Sequence, residues 1–190
     1  MHDADSELVA GCQRGETAAL EALYRRHVTG VWRYGWLRTQ SREAAEDIVQ
    51  ETFLRVARSI GGFRGRSTFA TWLFAVTRSV TIDYVRRQPN HRQESSALRL
   101  VTDREADPVQ EEETKQIVRR AVSRLPDAQR DAVLLCELSE LSVKEAARTL
   151  EWTESKVKVT LFRARRRLRD MLREYVATDS GSVPRKSAGQ

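Results

Sequence analysis

The sequence predicts an all-α fold: two small helical domains joined by an acidic flexible linker, the second domain containing a helix-turn-helix. Three observations predict it. Apolar residues recur at spacings of three and four from Leu8 to about Val176, the period of an amphipathic helix, and the alternation expected of strands is nearly absent. Residues 88–113, "QPNHRQESSALRLVTDREADPVQEEE", hold two prolines, several serines and acids and no sustained period, which is linker composition. Residues 142–173 read as a short helix, a tight turn and a longer helix, the layout of a helix-turn-helix. The predicted divisions are a first domain over 1–88, a linker over 89–113, a second domain over 114–176 and a disordered tail over 177–190, with about five to eight helices in all.

Composition narrows the function. A chain of 190 residues, 40% of them hydrophobic, can build one ordinary core or two modest ones. No apolar run is much longer than "WLFAV" or "AVLLC", and the start, "MHDADSELVAG", lacks the basic-then-apolar pattern of a signal peptide. The expectation is a cytoplasmic protein that is not itself in a membrane. Cys12 and Cys136 lie far apart, and His2, His27 and His91 are scattered, so neither a zinc spacing nor a disulfide framework is present. No cofactor or metal is expected. The net charge of +6 suggests an anionic partner. It is unevenly spread: 13 basic and 10 acidic groups over 1–88, 3 and 7 over 89–113, 17 and 10 over 114–190.

In the first domain Ser41 is placed to cap a helix through "REAAEDIVQETFLRVARSI". Val49, Phe53, Val56, Ala57 and Ile60 fall on one face of it at 100° per residue, and Asp47, Glu51, Leu54 and Arg58 on the other, with Gln50 at the border. That outer face is either simply solvated or a partner surface; an exposed leucine among acids favours the partner. The turn "GGFRGRS", Gly61 to Ser67, matches neither phosphate-cradling glycine motif, but two arginines and a phenylalanine in so short a turn can meet a nucleic-acid strand. The next helix, "TFATWLFAVTRSVTIDYVRRQ", has a core stripe of Phe69, Leu73, Val76, Val80 and Tyr84. Thr71, Ala75, Arg78, Ile82 and Arg86 fall on the far side, and Trp72 and Phe74 flank the stripe, where they could simply widen the buried face.

In the second domain "TKQIVRRAVSRL" and "AQRDAVLLCEL" are two amphipathic helices parted at Pro126. Ser142-x-x-Glu145 is a capping box that opens a short helix to Leu150; the chain turns at Glu151-Trp152 and restarts with Thr153 as a second N-cap. Val157, Leu161, Ala164, Leu168 and Leu172 form the inner face of the second helix, and Lys156, Val159, Arg163 and Arg166 the outer. Residues 156–173 carry eight bases and one acid, Asp170. A charge run on a surface helix is commonly just solvated, but one this lopsided on the second helix of such a motif suits a major groove. The helix start would reach base edges and "RARRRLR" would neutralise phosphates.

Taken in order, "AEDIVQETFLRV", "FRGRSTFATWLFAVTRSVTIDYVRR", an acidic linker, "LPDAQRDAVLLCELSELSVKEAARTL" and "VKVTLFRARRRL" resemble the extracytoplasmic-function (ECF) group of bacterial sigma factors, from about Glu7 to Tyr175. The resemblance implies that the first domain melts promoters and docks its D-x-x-Q-E helix on the β′ clamp helices of core RNA polymerase, through Asp47, Gln50 and Glu51, with Leu54 beside them. It implies that Phe63, Arg64, Arg66, Ser67 and Thr68 form a loop that captures a flipped base of the minus-ten element, and that Thr71, Trp72, Arg78, Arg86 and Arg87 hold the strand and upstream duplex edge. Lys158, Phe162 and Arg163 match minus-thirty-five contacts, with Lys156, Arg166 and Arg167 as phosphate candidates. The implied partners are core polymerase, through its β′ clamp helices and β flap, promoter DNA, and an anti-sigma factor, which can itself be membrane-bound. The chain departs from many relatives in two places: Glu151 stands where glycine is usual in the turn, and Val159-Thr160 where Ser-Arg is usual.

The resulting expectation is a non-enzymatic initiation factor. A stand-alone helix-turn-helix regulator is the alternative, and would bind an operator without polymerase. A helical enzyme has no paired base and nucleophile, metal spacing or cofactor loop to support it.

Overall fold

The structure, a computed structural model, describes residues 5–87 and 111–179, all of whose regular elements are helical. Residues 88–110, which hold most of the predicted linker, and the tail from residue 180 lie outside the described residues. In the first domain α1 is Ser6–Gln13, α2 Thr17–Thr39, α3 Arg42–Ser59, followed by a 3-10 turn Ile60–Gly62, and α4 is Phe69–Arg87. The second domain has α5 Glu111–Ser123, α6 Asp127–Val133 running on into a π-helical turn Leu134–Leu138, α7 Val143–Leu150 and α8 Glu154–Asp179. The last helix passes three residues beyond the predicted domain end at Val176.

Local signals set these boundaries. Ser41 accepts a hydrogen bond from Ala44 N at 3.2 Å and opens α3. Gln40, in the left-handed conformation at φ 55°, closes α2 just before it. The two helices then lie antiparallel at close range, because Gly35 lets α2 approach the backbone of Ala45; a Cβ at residue 35 would come within 3.3 Å of the Ala45 Cα. Leu23, Val31, Ile48, Val56, Phe69 and Leu73 are buried where α2, α3 and α4 meet. Asp5 is buried at the start of α1 and ties it to α2 through Arg26 and His27, whose Nε2 lies 2.7 Å from an Asp5 oxygen.

The predicted face of α3 needs one correction: Ala57 is exposed, and Ile48, Thr52 and the alanines 44 and 45 are buried instead. The core face is therefore broader than predicted along the first half of the helix, while Phe53, Val56 and Ile60 keep it buried to the end. On α4, Phe69, Leu73 and Val80 are buried as predicted, whereas Val76 and Tyr84 are only partly so. Thr77 and Thr81 are buried too, their hydroxyls donating to the carbonyls of Leu73 and Thr77, one turn back, at 2.9 and 2.8 Å.

The second domain buries Leu125, Leu135, Leu150, Val157, Leu161 and Ala164. This core does not stop at the domain edge. Tyr34 and Leu37 of α2 and Phe74 of α4 belong to the same continuous apolar cluster, so the two domains pack directly on one another, α7 lying against α4 and α5 against α2.

Candidate nucleic-acid interface

The loop after α3 is held from behind. Gln13 of α1 donates its side-chain amide to the carbonyls of Ile60 at 3.1 Å and Phe63 at 2.8 Å, fixing the chain where the 3-10 turn ends. Phe63 packs its ring on Trp72 and Phe69, with centroids 5.2 and 6.3 Å away. The aromatic cluster thus anchors the loop to the first turn of α4, and Trp72 is half-buried within it. Arg64 and Arg66 are exposed, Gly65 supplies the left-handed residue between them at φ 64°, and Arg86 and Arg87 are exposed at the far end of α4.

Thr68 caps α4: its Oγ1 accepts from Thr71 N at 3.2 Å and lies 2.7 Å from Thr71 Oγ1. Ser67, beside it, donates to its own neighbour's carbonyl at 3.2 Å. The Thr68 hydroxyl also donates to Glu145 Oε1 of α7 at 2.9 Å, and Thr71 is buried. Burial raises the Glu145 carboxyl, but hydrogen bonds from Ser142, Thr68 and Thr71 outweigh it and hold the group below the usual range. Arg78, expected on an outer face, sits with its Nε 3.6 Å from Asp131 Oδ2 of α6.

The outer face of α3 is open. Asp47, Gln50 and Leu54 are exposed, Leu54 by 42%. Glu51 is half-exposed and receives Arg55 Nε at 2.7 Å, and Arg55 also reaches Asp83 of α4 at 3.2 Å. Beside this face runs a groove of about 790 Å³ between α2 and α3, floored by Leu20, Tyr24, Val28, Trp32 and Phe53 and rimmed by Gln50 and Leu54. The sequence reading does not single out α2, though the signal is present: residues 20, 24, 28 and 32 repeat at four, a second apolar stripe beside the one that fills the core.

The helix-turn-helix forms as the spacing predicts. Ser142 Oγ accepts from Glu145 N and the Glu145 side chain accepts from Ser142 N, completing the capping box. Thr153 Oγ1 accepts from Lys156 N at 3.2 Å. Glu151 closes α7 in the left-handed region at φ 57°, ψ 40°, so the turn keeps the geometry that glycine ordinarily serves. On α8, Lys156, Lys158, Arg163, Arg166 and Arg167 are all exposed. Lys156 lies over the Trp152 ring at 4.2 Å. Phe162 stands 69% exposed among these cations, with Val159 49% exposed beside it. The Phe162 ring therefore stands outside the core, on the basic face of the helix.

The structure thus brings the predicted minus-thirty-five set together on one open face and the polymerase set onto another. The minus-ten set is divided: Arg64, Arg66, Arg86 and Arg87 are accessible, while Thr68, Thr71 and Arg78 are engaged by the second domain.

Among known families, Sigma-70 region 2 matches residues 23–90 and Sigma-70 region 4 matches residues 115–168. The ECF RNA polymerase sigma factor SigM of Bacillus subtilis is 34% identical over 152 residues, covering 79% of this chain and 93% of that protein. SigM of Mycobacterium tuberculosis is 33% identical over 169 residues, covering 88% and 84%. The fold is that of the sigma factor RpoE of Bartonella quintana, solved in complex with the anti-sigma factor NepR, with a TM-score of 0.67 at 23% identity over 80% of this chain and 96% of that one.

Proposed function

The chain belongs to the ECF group of RNA polymerase sigma factors, and from that premise we propose how its surfaces share the work of initiation. The outer face of α3, Asp47, Gln50, Glu51 and Leu54, together with the groove beside it, takes the β′ clamp helices of core polymerase. An apolar trough with an acidic edge suits a basic amphipathic helix. The basic face of α8 reads the minus-thirty-five element: Lys158, Phe162 and Arg163 meet base edges and Lys156, Arg166 and Arg167 meet phosphates. The loop from Phe63 to Thr68 captures a flipped base of the minus-ten element, and Thr71, Trp72, Arg78, Arg86 and Arg87 hold the melted strand. Unstacking costs a few kcal/mol per base, and stacking on an aromatic returns about 1–3 kcal/mol. The chain contributes binding and the polymerase the chemistry.

The observation that carries this reading is the exposed cation row of α8 with Phe162 in its midst, on the second helix of a complete helix-turn-helix. An anti-sigma factor that covers the two domains is part of the same reading, supported by the solved relative's complex with NepR, as is a cytoplasmic setting. No helix among the described residues is long and apolar enough to cross a membrane. The test is transcription in vitro with core polymerase on genomic fragments, including the gene's own upstream region. Transcripts that need both proteins are expected; no transcript on any fragment and no core binding would overturn the reading.

A further inference from the structure

We propose that the second domain is an internal competitor for the DNA-facing surface of the first: in the free chain Asp131 and Glu145 occupy the groups on α4 that would otherwise hold the melted strand. The proposal rests on the reading of α4 as that surface. One carboxylate of α6 serves three groups of the first domain. The Tyr34 hydroxyl donates to Asp131 Oδ1 at 3.0 Å, Arg38 Nη1 stands 3.4 Å from the same oxygen, and Arg78 Nε stands 3.6 Å from Oδ2.

A second cluster lies over the start of α4. Glu145 accepts from Thr68, Arg148 Nη1 donates to the carbonyl of Arg66, and Thr149 Oγ1 donates to the carbonyl of Thr71, the last two at 3.4 Å. Two carboxylates therefore stand on an arginine and a threonine pair in the positions that phosphate oxygens of a bound strand would take. The apolar part of the contact, Leu37 and Phe74 against the second domain's core, makes the closed form compact.

The polar part is imperfectly satisfied, which suits a contact meant to open. Arg38 Nη1 and Arg78 Nε are buried and within ion-pair distance of carboxylates, yet neither makes a well-formed hydrogen bond. Burying such charges costs desolvation that poor geometry does not return in full. Separating the domains rehydrates them and frees Arg78, Thr68 and Thr71 together. The affinity of the closed chain for a strand is then reduced by the fraction of molecules that are open.

The experiment uses the full chain and the pair of isosteric changes Asp131→Asn and Glu145→Gln, the second of which preserves a capping box. Small-angle scattering reads compactness, and fluorescence anisotropy reads binding of a randomised fluorescein-labelled single-stranded DNA pool. The native chain should have a radius of gyration near the roughly 16 Å of a compact body of this length. The double variant should be larger and should bind the pool about tenfold more tightly or better. An extended native chain, or a folded double variant that stays compact, overturns the latch. Expansion without tighter binding overturns the occlusion. Core-dependent transcription by the same variant separates the two ideas: if it persists, the sigma reading stands and only the competitor fails. Tyr34→Phe, which removes one hydroxyl, should move both readouts the same way by less, and covers the case in which circular dichroism shows the double variant unfolded.

Discussion

Glu151 carries strain that a single substitution can release. A side chain at φ 57° costs about 1 kcal/mol or more relative to glycine in the same left-handed position, more than the extra freedom that glycine has when unfolded. Glu151→Gly should therefore stabilise the chain by roughly 0.5–1 kcal/mol, read as a rise in melting temperature of about 1–4 °C. No rise would mean that Glu151 gains a compensating interaction in the turn. Phe162 poses the opposite case. Its ring is 69% exposed and has little packing to lose, so Phe162→Ala should leave the unfolding free energy within about 0.5 kcal/mol of the native chain while sharply reducing transcription from promoters that depend on the minus-thirty-five element.

Helix α4 shows what a periodic pattern can and cannot reveal. Its core stripe was legible because Phe69 and Leu73 meet neighbours that are local in the first domain. Leu73 is fully buried, so Leu73→Ala should cost about 2–5 kcal/mol and lower the midpoint of denaturant unfolding accordingly. Trp72→Ala should keep the chain folded and bound to core polymerase but poor at opening promoters, since what it removes is the aromatic seat of the Phe63 loop. The burial of Phe74 was open to the pattern, since a residue flanking the stripe can widen the buried face, but that of Thr71 was not legible: its carbonyl accepts from Thr149 of the second domain, and no helical period encodes which face a distant domain will cover. Helix α2 differs again, because both of its apolar stripes are in the sequence and only the partner that each faces is missing. On α8 the pattern and the structure coincide, since a basic face of a helix-turn-helix is excluded from the core by its own charge. If its cations pair with phosphates, Arg166→Ala should weaken duplex binding evenly across sequences and reduce the slope of log affinity against log salt by about 0.9.

At the scale of the whole molecule the domain contact should respond to acid, and the direction follows from Glu145. Its carboxyl is held below the usual glutamate value of about 4.3 because, against the upward push of burial, Ser142, Thr68 and Thr71 donate to the charged form. A carboxylate whose value is depressed in the closed form contributes stabilisation that is complete above its ordinary range and is lost as pH falls through the depressed value. Ser142 belongs to the same domain as Glu145 and keeps its bond when the domains part, whereas Thr68 and Thr71 belong to the other. The share that reports on closure is thus the part supplied by the two threonines. Taken from neutral pH to below about 4, the native chain should expand in scattering before its helical circular dichroism falls, because the interdomain bonds weaken while each domain keeps its own core. Glu145→Gln has no charge to lose at that site, so its compactness at neutral pH should already be lower and its response to acid flatter. Equal, simultaneous loss of compactness and helicity in both proteins would place the acid-sensitive groups inside the domains instead of between them.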